Sequence, residues 1–162
     1  DFSSKAICFC QNAYNIEGLH FTHGDAEKLP FDNESFDAIL NVESSHCYGS
    51  MAAFLREVVR VLRPAGYFLF ADLRYSDNCD RLRHELADTG MRVIEDEDIT
   101  ANVLEALRVG SEETLGQIEE STDGNADSLR EFAAIEGSET FNSFKDGTLR
   151  YVRYTLQKAS PA

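Results

Sequence analysis

The nineteen-residue stretch FLREVVRVLRPAGYFLFAD, from Phe54 to Asp72, constrains the fold more than any other part of the chain. Its first half places Phe54, Leu55, Val58, Val59 and Leu62 at helical spacing, one apolar stripe on a helix expected over Met51 to Arg63. Ser50 can cap the start, while Pro64 and Gly66 end it. The second half, Tyr67 to Ala71, is nearly all apolar, as expected of a strand covered on both faces. That strand ends abruptly in polar groups, Asp72 and Arg74.

The same grammar occurs upstream. HGDAEKLPFDNESFDAILNVESSHCY, from His23 to Tyr48, sets a charged loop with a proline before a strand expected over Phe36 to Val42. That strand too runs into a polar residue and a carboxylate, Asn41 and Glu43. Strands that end in polar groups beside a carboxylate loop mark the carboxyl edge of a parallel sheet, where open α/β sheets bind ligands. Other expected elements are a helix over residues 4–14 with Ile7, Cys8 and Cys10 inward, and a short strand over Leu19–Thr22. A helix over Asp77–Thr89 and a strand over Met91–Glu95 follow. Beyond them come helices over Ile99–Arg108, Glu112–Glu120 and Ala126–Ile135, and a last strand over Thr148–Gln157. Alternation of helix and strand through residue 95 selects an α/β fold with mainly parallel pairing, doubly wound.

Charge and composition exclude several classes. With 29 acidic against 15 basic residues the chain carries a formal net charge of -14, without the basic footprint that nucleic-acid binding needs. No segment approaches the ~18 consecutive apolar residues of a membrane span. The N-terminus lacks the pattern of a signal peptide, and Cys8, Cys10, Cys47 and Cys79 form no C-x-x-C pair. A Cys8/Cys10/His46/Cys47 metal site is disfavoured, so no metal is expected and the cysteines read as reduced and packed in a cytoplasmic protein. Asp1-Phe2-Ser3-Ser4 reads as a strand end followed by a helix cap, so the sequence is expected to lack its beginning.

GDAEKLPFDNESFDAI, followed by FLREVVRVLRPAGYFLFAD, resembles the class I S-adenosylmethionine-dependent methyltransferases over residues 1 to about 95. NVESSHCY, ADLR and RYVRYTLQK resemble more closely the O-methyltransferases that act on phthiotriolone-type lipids and glycolipids in mycobacteria. The resemblance implies a Rossmann-like sheet, N-terminally truncated, that binds S-adenosyl-L-methionine. Asp1 matches the residue that holds the cofactor's ribose hydroxyls, Phe2 the apolar residue against the adenine, and Gly24, Asp25 and Ala26 the loop that reads the adenine edge. Asn41, Val42 and Glu43 match the strand end beside the methionine part. Two departures stand out: the glycine-rich turn after the family's first strand is absent, and the family's P-G-G is here Pro64-Ala65-Gly66.

Each residue also has a plainer reading. Asp25 can be a turn residue, Phe2 ordinary core and Asn41 a strand terminator. His46 is the candidate general base, its ordinary pKa near 6.5 suiting proton removal from a hydroxyl, against a structural histidine. Glu43 is the competing base. Tyr48, Tyr67, Tyr75, Tyr151 and Tyr154 carry no pattern that marks them as site residues.

The expected activity is methyl transfer from S-adenosylmethionine to a hydroxyl of a hydrophobic small molecule, such as a lipid or polyketide. Alternatives are C-methylation of a quinone-type ring, a non-catalytic remnant or interaction module, and a nucleotide-cofactor oxidoreductase. The expected organisation is a methyltransferase core over 1–97, a helical cap insertion over 98–147, and a final core strand with tail over 148–162. About fifty residues between the last two strands is long for a compact domain, which makes the insertion functional or disordered. Glu119–Asn125 is expected to be its most mobile part. A homo-oligomer is compatible with all of this.

Overall fold

The computed structural model describes residues 1–120 and 125–160. One four-stranded sheet organises them: β1 (Phe36–Val42), β2 (Leu62–Tyr75), β3 (Arg92–Asp98) and β4 (Leu149–Gln157), in the spatial order β1-β2-β4-β3. β1 and β2 run parallel, with Asn41 opposite Phe70 and Val42 opposite Ala71. The sequence suggested mainly parallel pairing, but β4 is antiparallel to both β2 and β3. The last strand returns after the long 98–147 excursion and so enters the sheet from the opposite end.

Helices cover both faces. On one, α2 (Met51–Val61) and α3 (Cys79–Ala87) bury Phe54, Leu55, Val58, Leu82 and Leu86 against Phe68, Phe70, Tyr154 and Leu156. On the other, α4 (Thr100–Glu120) and α6 (Glu139–Asp146) pack Val103, Leu104, Leu107 and Phe144 against Ala71, Leu73, Leu149 and Tyr151. The second layer reaches only the Ala71–Leu73 end of β2. Toward its start, Tyr67 and Leu69 remain 43% and 39% exposed, so the strand is covered on both faces only along part of its length.

Several local expectations change. α1 (Ser4–Ala13) starts at the Ser3 cap but buries no residue, and Cys8 lies exposed. Residues 19–22 form no strand; Asp1 ties down the 22–24 stretch at two points, its amino group donating to Thr22 O and its carbonyl accepting from Gly24 N. The helix of the 51–63 stripe ends at Val61, and β2 begins at Leu62. The reason lies in Pro64-Ala65-Gly66, where Ala65 adopts φ 63 and a Cβ on Gly66 would lie 2.8 Å from Arg63 O and 2.9 Å from Asp37 O. Gly110 does not separate two helices, because its φ is not positive and α4 runs through it as one 21-residue rod. α5 (Ala126–Phe132) is shorter than expected, with Phe132 90% exposed. α6 was not anticipated; Ser138 caps its start and Gly147, at φ 83, ends it. The expected mobile stretch 119–125 falls largely on residues 121–124, outside the described residues.

Candidate active site

β1 and β2 deliver their polar ends side by side. Glu43 N donates to Ala71 O, so the β1 ladder continues one residue past the strand and sets Glu43 beside the start of the Asp72–Arg74 segment. Glu43 itself has φ 48, the left-handed region that an ordinary side chain enters at a cost of about 1–2 kcal/mol. Strain of this kind at a strand end is characteristic of ligand sites.

A cavity of about 670 Å³ opens on this edge, lined by Asp1, Phe2, Gly24, Asp25, Ala26 and Glu43, among others. Six of the residues singled out by resemblance thus surround one space. Its far wall is the 24–30 loop, which folds on itself because Gly24 lacks a side chain: a Cβ there would meet Pro30 Cδ at 2.8 Å. Asp25 Oδ1 accepts from Glu27 N at 2.9 Å, and Glu27 Oε1 accepts from Gly49 N at 2.7 Å and Ser50 N at 3.0 Å. Glu27 therefore ties the 24–30 loop to the start of α2. From the other side, Arg60 on α2 donates to Leu29 O and Phe31 O. The Arg60 guanidinium, hydrogen-bonded to Glu57, is the main reason that carboxyl stays below its ordinary range.

Asn41 and Val42 do not line the cavity. Asn41 is buried behind it, where Nδ2 donates to Ser44 Oγ and Tyr48 Oη, both at 2.9 Å, and those two residues form the wall. Val42 points to the other side of the strand and is 50% exposed.

His46 opens on an adjoining cavity of about 540 Å³, separated from the first by the shared wall of Tyr48 and Gly49. Asp72 holds its ring: Nδ1 lies 2.7 Å from Asp72 Oδ1, and the His46 backbone N–H donates to Oδ2 at 3.1 Å. Asp72 has no exposed surface, and it also accepts from Ser45 Oγ (2.5 Å) and Leu73 N (2.8 Å) and pairs with Arg74 (3.2 Å). Burial pushes its pKa up, but the hydrogen bonds from Ser45 and His46 and the Arg74 charge outweigh it, leaving the carboxyl below its ordinary value. A buried carboxylate on Nδ1 fixes the tautomer that leaves Nε2 able to take a proton. Sequence reasoning found His46 but not its holder, 26 residues away on β2.

A third cavity, about 280 Å³, lies under α4 and shares Glu43 with the first. Tyr151, 7% exposed, stands in its wall; burial first, and then the Glu43 carboxylate beside it, hold the phenol protonated well above its ordinary range. Among the described residues there is no group of three or more His, Cys, Asp or Glu side chains arranged to hold a metal, and no helix long and apolar enough to cross a membrane.

An α/β sheet with a carboxylate-rich, phenylalanine-walled cavity at the carboxyl ends of its parallel strands has the architecture of a class I methyltransferase. Residues 1–70 match the family described as methyltransferase domain, and the fold is that of the class I S-adenosylmethionine-dependent methyltransferases. It is 38% identical over 159 residues to the phthiotriol/phenolphthiotriol dimycocerosates methyltransferase of Mycobacterium tuberculosis, covering 98% of this chain and 59% of that one. It is 37% identical over 161 residues to the fatty-acid O-methyltransferase of Mycolicibacterium smegmatis, covering 98% and 57%. The chain thus spans less than two thirds of the length of these relatives. The geranyl diphosphate C-methyltransferase of Streptomyces coelicolor A3(2) shares the fold with a TM-score of 0.70 at 14% identity, over 98% of this chain and 63% of that structure.

Proposed function

We propose that the protein transfers the methyl group of S-adenosylmethionine to an oxygen of a hydrophobic acceptor such as a lipid or polyketide. The observation that carries this reading is convergence: the segment from Glu43 to Gly49 contributes to the walls of all three cavities. A reaction that joins a cofactor, an acceptor and a proton acceptor needs such a meeting point.

The residues of the first cavity fit the cofactor. Its lining holds the carboxylates of Asp1, Asp25, Glu27 and Glu43 and no lysine or arginine, which suits a sulfonium and opposes the phosphates of a dinucleotide. Phe2, 77% exposed on this wall, offers a ring face to a planar base. In this assignment Asp1 accepts from the ribose hydroxyls, Asp25 and Ala26 meet the adenine edge, and Glu43 faces the methionine part. Asn41 acts from behind by holding Ser44 and Tyr48. When bound, S-adenosylmethionine supplies a methyl group already activated on sulfur.

The chain's own tasks are then alignment and proton removal. His46 Nε2 takes the acceptor's proton as its oxygen attacks, and Asp72 stabilises the imidazolium that forms. Glu43 lies on the boundary between the cofactor and acceptor spaces. The names of the two relatives, a dimycocerosates methyltransferase and a fatty-acid O-methyltransferase, support an acceptor with a long hydrocarbon part. The 98–147 segment serves as a helical cap on the acceptor side, and the setting is cytoplasmic.

The test is a kinetic comparison in the full-length protein. His46→Ala should lower kcat by about 10²–10⁴-fold while S-adenosylhomocysteine affinity stays within about twofold. A loss no larger than that of a conservative surface change would remove His46 as the base.

A further inference from the structure

The cavity under α4 belongs to neither the cofactor assignment nor the His46–Asp72 pair. It is walled by Val103, Leu107 and Gly110 of α4 and by Ala133, Ile135 and Tyr151, and Glu43 stands between it and the first cavity. Its lining is apolar or small apart from Glu43, Ser111, Thr114 and Tyr151. Ser111 is already engaged, donating to Leu107 O at 2.7 Å and accepting from Glu136 N at 2.9 Å, so its hydroxyl ties the 133–136 turn to α4.

Gly110 is the informative residue. Inside a helix glycine is less favourable than alanine, and of the two glycines in α4, Gly110 and Gly116, only Gly110 lines a cavity. Backbone conformation does not require a glycine there, because Gly110 has no positive φ. Close packing does not either, because a Cβ built there meets nothing within 4 Å. Gly66, by contrast, would strike two carbonyl oxygens. A mid-helix glycine that neither turns the chain nor admits a neighbour leaves space in the one cavity that it lines.

We propose that this cavity binds the hydrocarbon part of the acceptor, and that Gly110 sets how bulky a chain it admits. The tail lies along α4 and the turn at Ala133–Ile135, both held in register by Ser111. The polar head passes Glu43 toward the Tyr48–Gly49 wall where the cofactor cavity and the His46 cavity meet, with Glu43 and Tyr151 as the polar end of an otherwise apolar slot. At about 280 Å³ the space lies just below the ~300–1,000 Å³ usual for ligand cavities, which fits a single chain better than a fused ring system. This assignment rests on the methyl-transfer reading only for what happens to the head group; binding of the tail stands alone.

The experiment uses the full-length protein and a dansyl-labelled fatty acid, read by fluorescence, with Gly110→Phe and Ala106→Phe as variants that fill the slot. The wild type should bind the probe, and each variant should weaken it at least tenfold while S-adenosylhomocysteine affinity holds within twofold. With turnover, kcat/KM for long-chain acceptors should fall at least tenfold relative to short-chain ones. Absence of probe binding to the wild type, or equal binding by both folded variants, overturns the assignment. Probe binding lost in the variants but with no turnover on any acceptor would instead leave the slot intact and sink the methyl-transfer reading.

Discussion

Replacing Asp72 by asparagine should be the most damaging isosteric change in this protein. Five donor groups converge on the carboxylate: Ser45 Oγ, the His46 ring and backbone N–H, Leu73 N and Arg74. An asparagine keeps one oxygen and turns an NH2 toward the rest. With the amide nitrogen at the Oδ1 position, Leu73 N loses its acceptor; at the Oδ2 position, His46 N loses it and Arg74 faces a donor. Each orphaned buried donor costs about 1–3 kcal/mol. Arg74 is also only 12% exposed on its side chain, so its charge is left without a partner. Removing one member of such a buried pair costs about 3–5 kcal/mol, a large part of the ~5–15 kcal/mol stability of a typical domain. Urea unfolding at neutral pH should show that loss at unchanged m-value. The pH dependence has a definite sign. Because the folded-state pKa of Asp72 is depressed, its stabilisation is complete above the unfolded value near 3.9 and is lost as pH falls through the folded one. The wild type should therefore lose more stability than Asp72→Asn below about pH 4. A neutral-pH loss under about 1 kcal/mol would show that Asp72 is not the anchor of this corner.

Other expectations concern the loop and the bend. Asp25→Ala should weaken S-adenosylhomocysteine binding by about 1–3 kcal/mol in calorimetry, and unchanged affinity would remove Asp25 from the site. Ala65→Gly should raise the urea midpoint, because relief of an alanine at φ 63, about 1–2 kcal/mol, exceeds the ~0.4–1 kcal/mol of added unfolded-state freedom. Gly66→Ala should lower it by about 1–3 kcal/mol, since its Cβ would press on Arg63 O and Asp37 O; a neutral result would mean that the bend relaxes freely.

What could be read from the chain was whatever repeats locally. The helical stripe of α2 and the continuous apolar run of β2 were both legible, though α2 stops at Val61 and β2 already begins at Leu62. The gathering of Asp1, Phe2, Asp25 and Glu43 around one cavity was legible through the family resemblance of the segments that carry them, not through local periodicity. Features set by partners distant in sequence were not legible. Asp72 read as a polar strand end because its role depends on a histidine 26 positions earlier. Residues 19–22 carry strand-like residues, yet Thr22 and, just beyond, Gly24 bond to Asp1 instead of joining a ladder. Gly110 looked like a helix end, but helix termination by glycine needs a left-handed backbone that α4 does not adopt there. Asn41 and Val42 show how a strand end divides its residues: alternation buries one behind the cavity and turns the other away. α6 had a visible signal in Ser138 and Gly147, a cap and a terminator nine residues apart, within a polar stretch where apolar periodicity was weak.

The most direct measurement of the central claim is to follow where the methyl group goes. The full-length protein would be incubated with S-adenosylmethionine carrying a deuterated methyl and with a hydroxylated long-chain acceptor, and the product fragmented by mass spectrometry. The account predicts the intact labelled methyl on the acceptor's oxygen, formed by the wild type and nearly absent with His46→Ala. Label on a carbon atom, or none at all while S-adenosylhomocysteine still binds, would contradict it.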